Sequence, residues 1–416
     1  MTTKSRALCT RFADAWLIDG VRTPFVDYTQ AFAAISPIDL GIKAGRAVLA
    51  RAGIDAGDVA NVITGNMAQA SFDAFMMPRH VGLYSGVPQE VPAHMVQRVC
   101  GTGIEAILQA ADAASLGRAD LTLCVGTESM SRNPVAAYTH RNGFRMGQVE
   151  FKDFLWEALL DTAPWVTMGG TAENLARQYD ITREDVDRYA EMSFARAVAA
   201  RDGGFLAGEI VAVESEAFEV AGLKPRGIRL PREIERVEAD THIRPTSYET
   251  LSKIKPAFGG VQTGGNSSAI VDGAAAALVA TETYARSAGK TPLARIVAGA
   301  AVGVSPGIMG IGPVPAIRAV LEREGLELSA IDRFEINEAF AAQIIACNRE
   351  LALEEERVNV NGGAIAIGHP LGATGVRLTV TLARELKRAG KRYGIASACI
   401  GGGQGIAVLI ENLSSI

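Results

Sequence analysis

The stretch VQRVCGTGIEAILQAA at residues 96–111 places a cysteine at the start of a predicted helix. After Gly103 the apolar residues recur at helical spacing, and Gly117 closes the helix. The dipole at the amino terminus of a helix favours an anion and lowers a thiol pKa, so we expect Cys100 to have a lowered pKa. Glycines on both sides of Thr102 let backbone N–H groups and a ligand approach. We therefore favour a nucleophile at Cys100 over a small buried hydrophobe.

Working outward, strand-length apolar runs alternate with helix-length amphipathic stretches. The predicted strands are Ala15 to Gly20, Val59 to Gly65 and Leu121 to Gly126, and the predicted helices are Asp39 to Ala52 and Gly103 to Leu116. This alternation predicts βαβ units around a largely parallel sheet. The rhythm returns after about residue 290, in runs at 296–304, 333–336 and 393–398. We interpret the chain as an α/β protein with two duplicated βα halves.

Between the two halves the sequence changes character. Residues 130–265 are richer in charge and aromatic residues, and a polar helix is predicted from Thr182 to Arg201. The segment is therefore predicted to be an inserted domain built mostly of helices and loops. The predicted domains are 14–129 together with about 266–290, the insertion 130–265, and 291–416. Residues before about 13 are expected to form a loose leader.

Length and composition limit the classes of protein. At about 150 residues per domain, 416 residues correspond to two or three domains. Lys+Arg 41 against Asp+Glu 46 gives a net charge of −5, which is not the charge of a nucleic-acid-binding or membrane-surface protein. No apolar run approaches the ~20 residues of a transmembrane helix, and no signal peptide core opens the chain. We expect a cytoplasmic enzyme without membrane insertion.

The five cysteines are widely scattered and form no Cys-x-x-Cys pair. This spacing supports neither a zinc site nor a disulfide framework, so each is expected to be a thiol. Cys399 stands in CIGGGQG at 399–405, where four glycines could cradle a phosphate. No Lys-Ser/Thr follows and a strand is predicted from Ile406 to Ile410, so P-loop and Rossmann sites are excluded. A cysteine at a strand end beside exposed amide groups instead indicates a catalytic thiol with an oxyanion site.

Two further residues are candidates for chemistry. His369 stands in NGGAIAIGHPLGATG at 361–375, between an apolar run and a helix that Pro370 helps to start. It is either an exposed turn histidine or a general base toward Cys100. Asn337 begins NEAF after a predicted strand, and by itself it is typical of a helix N-cap.

Taken together and in this order, the four segments resemble the thiolase family. Its motifs are a nucleophile in C-G-x-G, then N-E-A-F, G-H-P-x-G-A-x-G and C-x-G-G-G-x-G, and the likeness runs from about residue 14 to the end. The resemblance implies a five-layered αβαβα fold with the insertion forming a loop domain over coenzyme A (CoA). It also implies a homodimer or a homotetramer.

The resemblance further implies an acyltransferase that cleaves 3-ketoacyl-CoA with CoA or condenses two acyl-CoA molecules. By the family pattern Cys100 carries the acyl group, His369 activates it, and Cys399 is the second acid/base. Asn337 would hold a water that binds one thioester oxyanion together with His369. The N–H groups of Cys100 and Gly401 would form the other oxyanion hole. Acyl-CoA and CoA are substrates, and no cofactor or metal is implied.

The family pattern also suggests residues that contact CoA. These are Met168 in the acyl pocket, Ser268 near the pantetheine, and Arg244 and Thr250 near the nucleotide. Some positions depart from the pattern, namely Gln97, Thr102 and Thr167 in place of Asn, Ser and His. A 3-ketoacyl-acyl carrier protein synthase shares the fold but lacks the second cysteine, and a lipid-binding relative without chemistry is the non-enzymatic alternative.

Overall fold

The computed structural model describes residues 7–69, 71, 73–138 and 140–415. Its strands are β1 Leu8–Arg11, β2 Trp16–Arg22, β3 Val26–Asp27, β4 Asn61–Gly65, β5 Ala93–Val96, β6 Leu121–Glu128, β7 Val135–Ala136, β8 Lys152–Asp153, β9 Leu160–Asp161, β10 Val166–Thr167, β11 Val213–Glu214, β12 Glu216–Phe218, β13 Arg226–Ile228, β14 Arg236–Val237, β15 Val271–Ala280, β16 Ala294–Gly303, β17 Arg333–Ile336, β18 Tyr393–Ile400 and β19 Gln404–Glu411.

Its helices alternate with the longer strands in both halves of the chain. They are α1 Pro37–Ala52, α2 Met77–Tyr84, α3 Thr102–Ser115, α4 Phe154–Ala158, α5 Met168–Gln178, α6 Arg183–Asp202, α7 Tyr248–Leu251, α8 Glu282–Ser287, α9 Pro313–Glu324, α10 Ala341–Leu351, α11 Ala364–Ile367 and α12 Leu371–Ala389. The strands and helices predicted in the two βα halves are confirmed, with small shifts at their ends.

The central sheet has the order β17-β18-β19-β16-β2-β15-β6-β4-β5, with β1 on β16 and β3 on β15. Among the described residues, the ladders β4–β5, β4–β6 and β17–β18 are parallel and the others are antiparallel. The prediction of a largely parallel sheet is therefore wrong. Most of the antiparallel ladders, such as β15–β6 and β16–β19, join strands far apart in the chain, and β18 and β19 form a hairpin across a glycine turn.

The two halves of the sheet enclose a middle layer of helices. They are joined where β16 meets β2, through the residue pairs Ala294–Leu17 and Arg295–Trp16. Helix α12 packs on β6 and β15 of the first half and on β18 of the second, and α3 contacts β6, β15 and β19. Helices α1 and α2 cover the outer face of the first half, and α9 covers that of the second. The layers are thus αβαβα.

Within the middle layer, α3 and α12 approach each other at two glycines near their first turns. A Cβ on Gly103 would lie 2.6 Å from the backbone nitrogen of Val376, and one on Gly375 would collide with the backbone of Ile104. Only glycine permits this backbone contact. Because Cys100 and His369 each stand two residues before one of these helices, the contact brings both side chains to the same place.

The segment between the halves differs in architecture. In the described part of residues 130–265, short two-stranded ribbons and helices α4 to α7 occur, and no strand joins the central sheet. The predicted polar helix is α6, and its start is a capping box in which Thr182 Oγ1 accepts from the Asp185 N–H at 3.2 Å. The domain boundaries themselves stay a prediction, and residue 416 lies outside the described residues.

The chain start also departs from expectation. Residues 8–11 form β1, which pairs antiparallel with β16, so they are not a loose leader. Cys9 of this strand packs against the main core cluster, and Phe12, which follows the strand, is buried in that cluster. Residues 1–6 of the predicted leader lie outside the described residues.

Candidate active site

Cys100 stands in a tight turn that leads into α3. Thr102 Oγ1 donates to the Val99 carbonyl at 2.6 Å and accepts from the Arg98 N–H at 2.9 Å, which closes the turn around the cysteine. Val99 has a φ of 44°, a conformation that a β-branched residue rarely adopts. The side chain of Cys100 is nearly buried and forms part of the wall of a cavity of about 520 Å³.

Burial decides the protonation of this thiol. It raises the pKa of Cys100 to about 11, while the backbone N–H groups of Gly401 and of Cys100 itself lower the pKa by donating to the sulfur. The nearby Glu128 carboxyl adds a further increase. The expectation of a lowered pKa from the helix dipole is therefore wrong. Burial removes the thiolate from water, and this raises the pKa by more than the nearby backbone N–H groups lower it.

His369 is buried beside the same cavity, so it is not an exposed turn histidine. Burial lowers its pKa to about 3, and Arg377 lowers it further, which leaves the ring neutral. The hydroxyl of Thr374 donates to the Pro370 carbonyl at 3.1 Å and lies 2.5 Å from His369 Nδ1. Since that hydroxyl has one proton, Nδ1 carries the ring proton and donates to it.

The opposite ring nitrogen is the chemically useful one. His369 Nε2 is buried and has no hydrogen-bond partner among the described residues. With the proton held at Nδ1, Nε2 presents its lone pair as a base. The resting pair is thus a thiol and a neutral imidazole, because burial disfavours both charged forms.

Cys399 ends β18 opposite Gly405 of β19, just before the glycine turn. It is fully buried, and burial raises its pKa well above the usual range, with the charge of Cys100 raising it further. Cys399 belongs to one apolar cluster with Met168 and Met309, which line the same cavity as Cys100. The glycines after Cys399 form the tight turn of the β18–β19 hairpin, in which Gly402 and Gly403 have φ of 84°.

Asn337 follows β17, and its N–H donates to the Ser397 carbonyl at 2.9 Å. Helix α10 begins four residues later with Phe340 as its N-cap, so Asn337 is not a helix cap. Both atoms of its amide group are buried, and neither has a partner in the described parts of the chain. Buried amides are normally satisfied, so this pair is suited to a bound group.

The predicted CoA contacts divide into two groups. Met168 and Ser268 line the cavity, and Met168 Sδ lies 3.1 Å from where a Cβ on Gly401 would be. Arg244 is exposed outside the cavity wall, where its guanidinium lies 5.0 Å from the ring centre of Phe194. Its Nη1 donates to the carbonyl of His242, which does line the cavity.

The second residue outside the cavity wall is Thr250. It is exposed on α7, where its N–H donates to Ser247 Oγ. Cys100 and His369 therefore line the same cavity, and Cys399 packs in the cluster of the cavity-lining Met168, whereas Arg244 and Thr250 do not line it.

Two residues of the site, Thr374 and Glu128, could not be recognised as functional from their residue type alone. Thr374 orients the ring of His369, and only its position in the His369 motif could have indicated this. The carboxylate of Glu128, at the end of β6, accepts at 2.9 Å from Asn66 Nδ2, Met67 N and Gly372 N. It thereby ties the first turn of α12 to the loop after β4, on both sides of the nucleophile.

A cysteine on a cavity wall just before a helix, a neutral histidine on the same wall and a second buried thiol, on this layered fold, are the groups of a cysteine-dependent acyltransferase. The chain belongs to the thiolase family. The model of the thiolase N-terminal domain matches residues 15–283, and that of the C-terminal domain matches residues 290–412. The family and the fold class expected from the sequence are confirmed.

Named relatives agree with this assignment. The mitochondrial 3-ketoacyl-CoA thiolase of Bos taurus is 41% identical over 401 residues, covering 95% of this chain and 98% of that protein. A probable acetyl-CoA acyltransferase of Staphylococcus epidermidis is 42% identical over 399 residues with the same shares covered. The crystal structure of the human mitochondrial 3-ketoacyl-CoA thiolase in complex with CoA superposes with a TM-score of 0.90 at 40% identity, covering 96% of this chain and 98% of that one.

Proposed function

We propose that this thiolase cleaves 3-ketoacyl-CoA with CoA, or condenses two acyl-CoA molecules, through an acyl-Cys100 intermediate. The observation that carries the proposal is that Cys100 and His369 line one cavity, where His369 Nε2 has no hydrogen-bond partner among the described residues. The names of the relatives, 3-ketoacyl-CoA thiolase and acetyl-CoA acyltransferase, support the substrate class.

In the first half of thiolysis, the Cys100 thiol gives its proton to His369 Nε2 and its sulfur attacks the 3-keto carbon. The carbonyl oxygen becomes an oxyanion that the N–H groups of Cys100 and Gly401 hold. Such preorganised donors are typically worth about 10²–10³ in rate each. The proton transfer occurs only as the sulfur attacks, because the resting pair is neutral.

The bond between the second and third carbons then breaks, and the acyl group stays on Cys100. Cys399 donates a proton to the carbon of the leaving acetyl-CoA enolate, whose oxygen is bound by His369 and by a water on Asn337. The Cys399 thiolate then takes the proton of the CoA thiol, the CoA sulfur attacks the acyl group, and His369 returns its proton to the departing Cys100 sulfur, so that both thiols and the neutral imidazole are restored. Condensation is the reverse, with Cys399 removing the proton. The proposed chemistry uses no metal and no redox cofactor.

The CoA arm would run from Met168 and Ser268 on the cavity wall towards the surface. Arg244 would contact its phosphate end as an exposed cation, beside the cavity-lining His242. Thr250 would lie further out on α7. Its distance from the cavity makes Thr250 the weakest of the four proposed contacts.

Assembly as a homodimer or homotetramer is also proposed. Strand β5 is an edge of the central sheet, and among the described residues it pairs with β4 alone. An edge strand leaves N–H and carbonyl groups for a second chain, and β5 leads directly into the Cys100 turn. Light scattering should give twice or four times the chain mass, whereas a monomer would contradict the proposal.

Location in the cytoplasm stays a prediction; within the described ranges no helix is long and apolar enough to cross a membrane.

The proposed reaction has a direct test. Acetoacetyl-CoA and CoA are incubated with the protein, and the loss of acetoacetyl-CoA absorbance is followed. Peptide mass spectrometry after acetyl-CoA treatment should place the acetyl group on Cys100. A carrier-protein synthase or a lipid-binding relative would leave the absorbance unchanged, and an acetyl group on Cys399 or Cys124 would refute the assignment of the nucleophile.

A further inference from the structure

The residue after Asn337 is a buried acid that the proposed chemistry does not use. Glu338 is 1% exposed, and in the described parts of the chain it does not belong to the cavity wall that Cys100 and His369 share. Burying a carboxyl group is costly unless hydrogen bonds satisfy its oxygens. The groups that surround Glu338 therefore indicate what it holds in place.

Four donors converge on the two oxygens of Glu338. Its Oε1 accepts from the Tyr189 hydroxyl at 3.1 Å and from Asn359 Nδ2 at 2.9 Å. Its Oε2 accepts from the Ser193 hydroxyl at 2.7 Å and from the Ile365 N–H at 3.2 Å. The two hydroxyls belong to α6 of the insertion, and the Ile365 N–H belongs to α11. The acid thus joins separate segments of the chain at one buried point.

The first of these connections fixes the backbone that carries Asn337. Asn359 Oδ1 accepts from the Ile336 N–H at 2.9 Å, and Asn359 Nδ2 donates to the Ile336 carbonyl at 2.8 Å as well as to Glu338. The amide group of Asn337 itself has no partner among the described residues. Its direction therefore depends on the residues on either side, Ile336 and Glu338, and both are bonded to Asn359.

The second connection reaches the segment that leads to His369. Ile365 lies in α11, which ends two residues before His369. Glycine is required beside the acid, since a Cβ on Gly363 would lie 2.2 Å from Glu338 Cδ. The Ser193 hydroxyl donates to Glu338, and its oxygen accepts from the Gly363 N–H at 3.3 Å. Glu338 therefore holds the start of α11 as well as the backbone of Asn337.

In the proposed function, His369 and a water on Asn337 together bind the oxygen of the leaving acetyl-CoA enolate. Two donors from different segments must then share one geometry, and a misplacement of about 1 Å can cost about 10²-fold in rate. We propose, resting on the function proposed above, that Glu338 is a positioning residue for the enolate step. It aligns the segments of Asn337 and His369 without touching the substrate, and it links that alignment to α6 of the insertion.

The direct test is Glu338→Gln, which keeps the size of the side chain. Whichever way the new amide turns, its NH₂ group faces an N–H donor, that of Asn359 or that of Ile365. We expect kcat for acetoacetyl-CoA thiolysis to fall about 10²-fold, with less than about a threefold change in KM. Exchange of CoA into acetyl-CoA forms no enolate, so the ratio of thiolysis to exchange should fall at least about tenfold.

A double variant asks whether Glu338 acts through Asn337. Asn337→Ala removes the amide that would hold the water, so less alignment is left for Glu338 to provide. In that background Glu338→Gln should lower thiolysis at most about tenfold further, because coupled residues are not additive. A general structural defect would instead lower thiolysis by the same factor in both backgrounds.

The matched control is Glu209→Gln. Glu209 is a fully buried acid that also joins the insertion to other elements, accepting from Arg22 Nε at 2.6 Å and from Thr381 Oγ1 at 2.9 Å. Its loss should lower the temperature of thermal unfolding and leave the ratio of thiolysis to exchange unchanged. Tyr189→Phe removes one of the four donors and should lower that ratio about threefold. It decides the question where Glu338→Gln does not fold.

An unchanged ratio in folded Glu338→Gln, or in Tyr189→Phe where it replaces that variant, overturns the positioning role. The same change of ratio in Glu209→Gln, or an equal loss of thiolysis in both backgrounds, does so too. A wild-type protein that neither exchanges CoA into acetyl-CoA nor cleaves acetoacetyl-CoA overturns the proposed function itself.

Discussion

Cys100 and Cys399 are two thiols of one site that sit in different architectures. Cys100 stands in a loop that leads into a helix, and it lines the cavity. Cys399 ends a central strand, is fully buried and is influenced by the charge of its neighbour. Both are followed by glycines in the sequence. The difference teaches that the backbone around a thiol, and not its flanking residues, decides whether it can act as a nucleophile.

The difference between the two thiols is tested most directly by replacing each cysteine with alanine in turn. In Cys399→Ala the Cys100 turn and His369 persist, so exchange of CoA into acetyl-CoA should continue. Thiolysis of acetoacetyl-CoA should fall by about 10²–10⁴ or more, the usual value of a general acid or base. Cys100→Ala should lose both reactions.

Folding of both variants is checked by circular dichroism and thermal unfolding. If folded Cys399→Ala loses exchange as fully as Cys100→Ala, the division of roles is wrong. Near-normal thiolysis in Cys399→Ala would exclude Cys399 from the chemistry.

The protonation of the nucleophile gives a second comparison. A thiol with a pKa of about 11 has a thiolate fraction that grows about tenfold per pH unit below that value. Alkylation of Cys100 by iodoacetamide in the free enzyme should thus rise about a thousandfold from pH 7 to pH 10, as measured by peptide mass spectrometry. Cys399, with the larger increase in pKa, should react more slowly throughout.

The pH dependence of alkylation distinguishes two influences on the pKa of Cys100, which are burial and the helix terminus. A rate that levels off below pH 8.5 would mean that the helix terminus outweighs burial, contrary to the structure. Prior acetylation of Cys100 serves as the control, since it should block the modification at that site.

A smaller effect is expected from the residue that orients the base. In Thr374→Ala, His369 Nδ1 loses its acceptor, so the proton is no longer held away from Nε2. One hydrogen bond of this kind is worth about 1 kcal/mol, and acetylation of Cys100 should slow about fivefold with little change in the KM for acetyl-CoA.

Thr374→Ser keeps the hydroxyl and should restore the rate. The matched control is Thr379→Ala on the same helix, whose hydroxyl also donates to a carbonyl four residues back, that of Gly375. Equal slowing in Thr374→Ala and Thr379→Ala would show that the role of Thr374 is only structural.

The smallest effect concerns a residue remote from both thiols. Arg244→Ala should raise the KM for CoA up to about fivefold, because exposed ion pairs contribute less than about 1 kcal/mol. Higher ionic strength should weaken binding modestly in the wild type and less in the variant. Alkylation rates of both thiols should not change. An unchanged KM for CoA in Arg244→Ala would show that Arg244 does not contact CoA.

The alternation of strands and helices was predictable because it depends on local periodicity. The starts of α1, α3 and α6 follow from caps and glycines close in the chain. The direction of the strand pairs was not predictable in this way, since antiparallel ladders such as β15–β6 join residues about 150 positions apart. For the same reason, the pairing of β1 with β16 contradicted the expected leader.

The sequence by itself determined which residues are predicted to carry the chemistry, because Cys100, Asn337, His369 and Cys399 stand in ordered motifs with turn glycines. Only the tertiary structure decided the protonation states of Cys100 and His369. The contact of α3 with α12 at Gly103 and Gly375 buries the thiol and the imidazole together, and this burial raises one pKa and lowers the other. Desolvation depends on every atom packed around a group, and therefore no local pattern in the chain could have predicted a neutral resting pair.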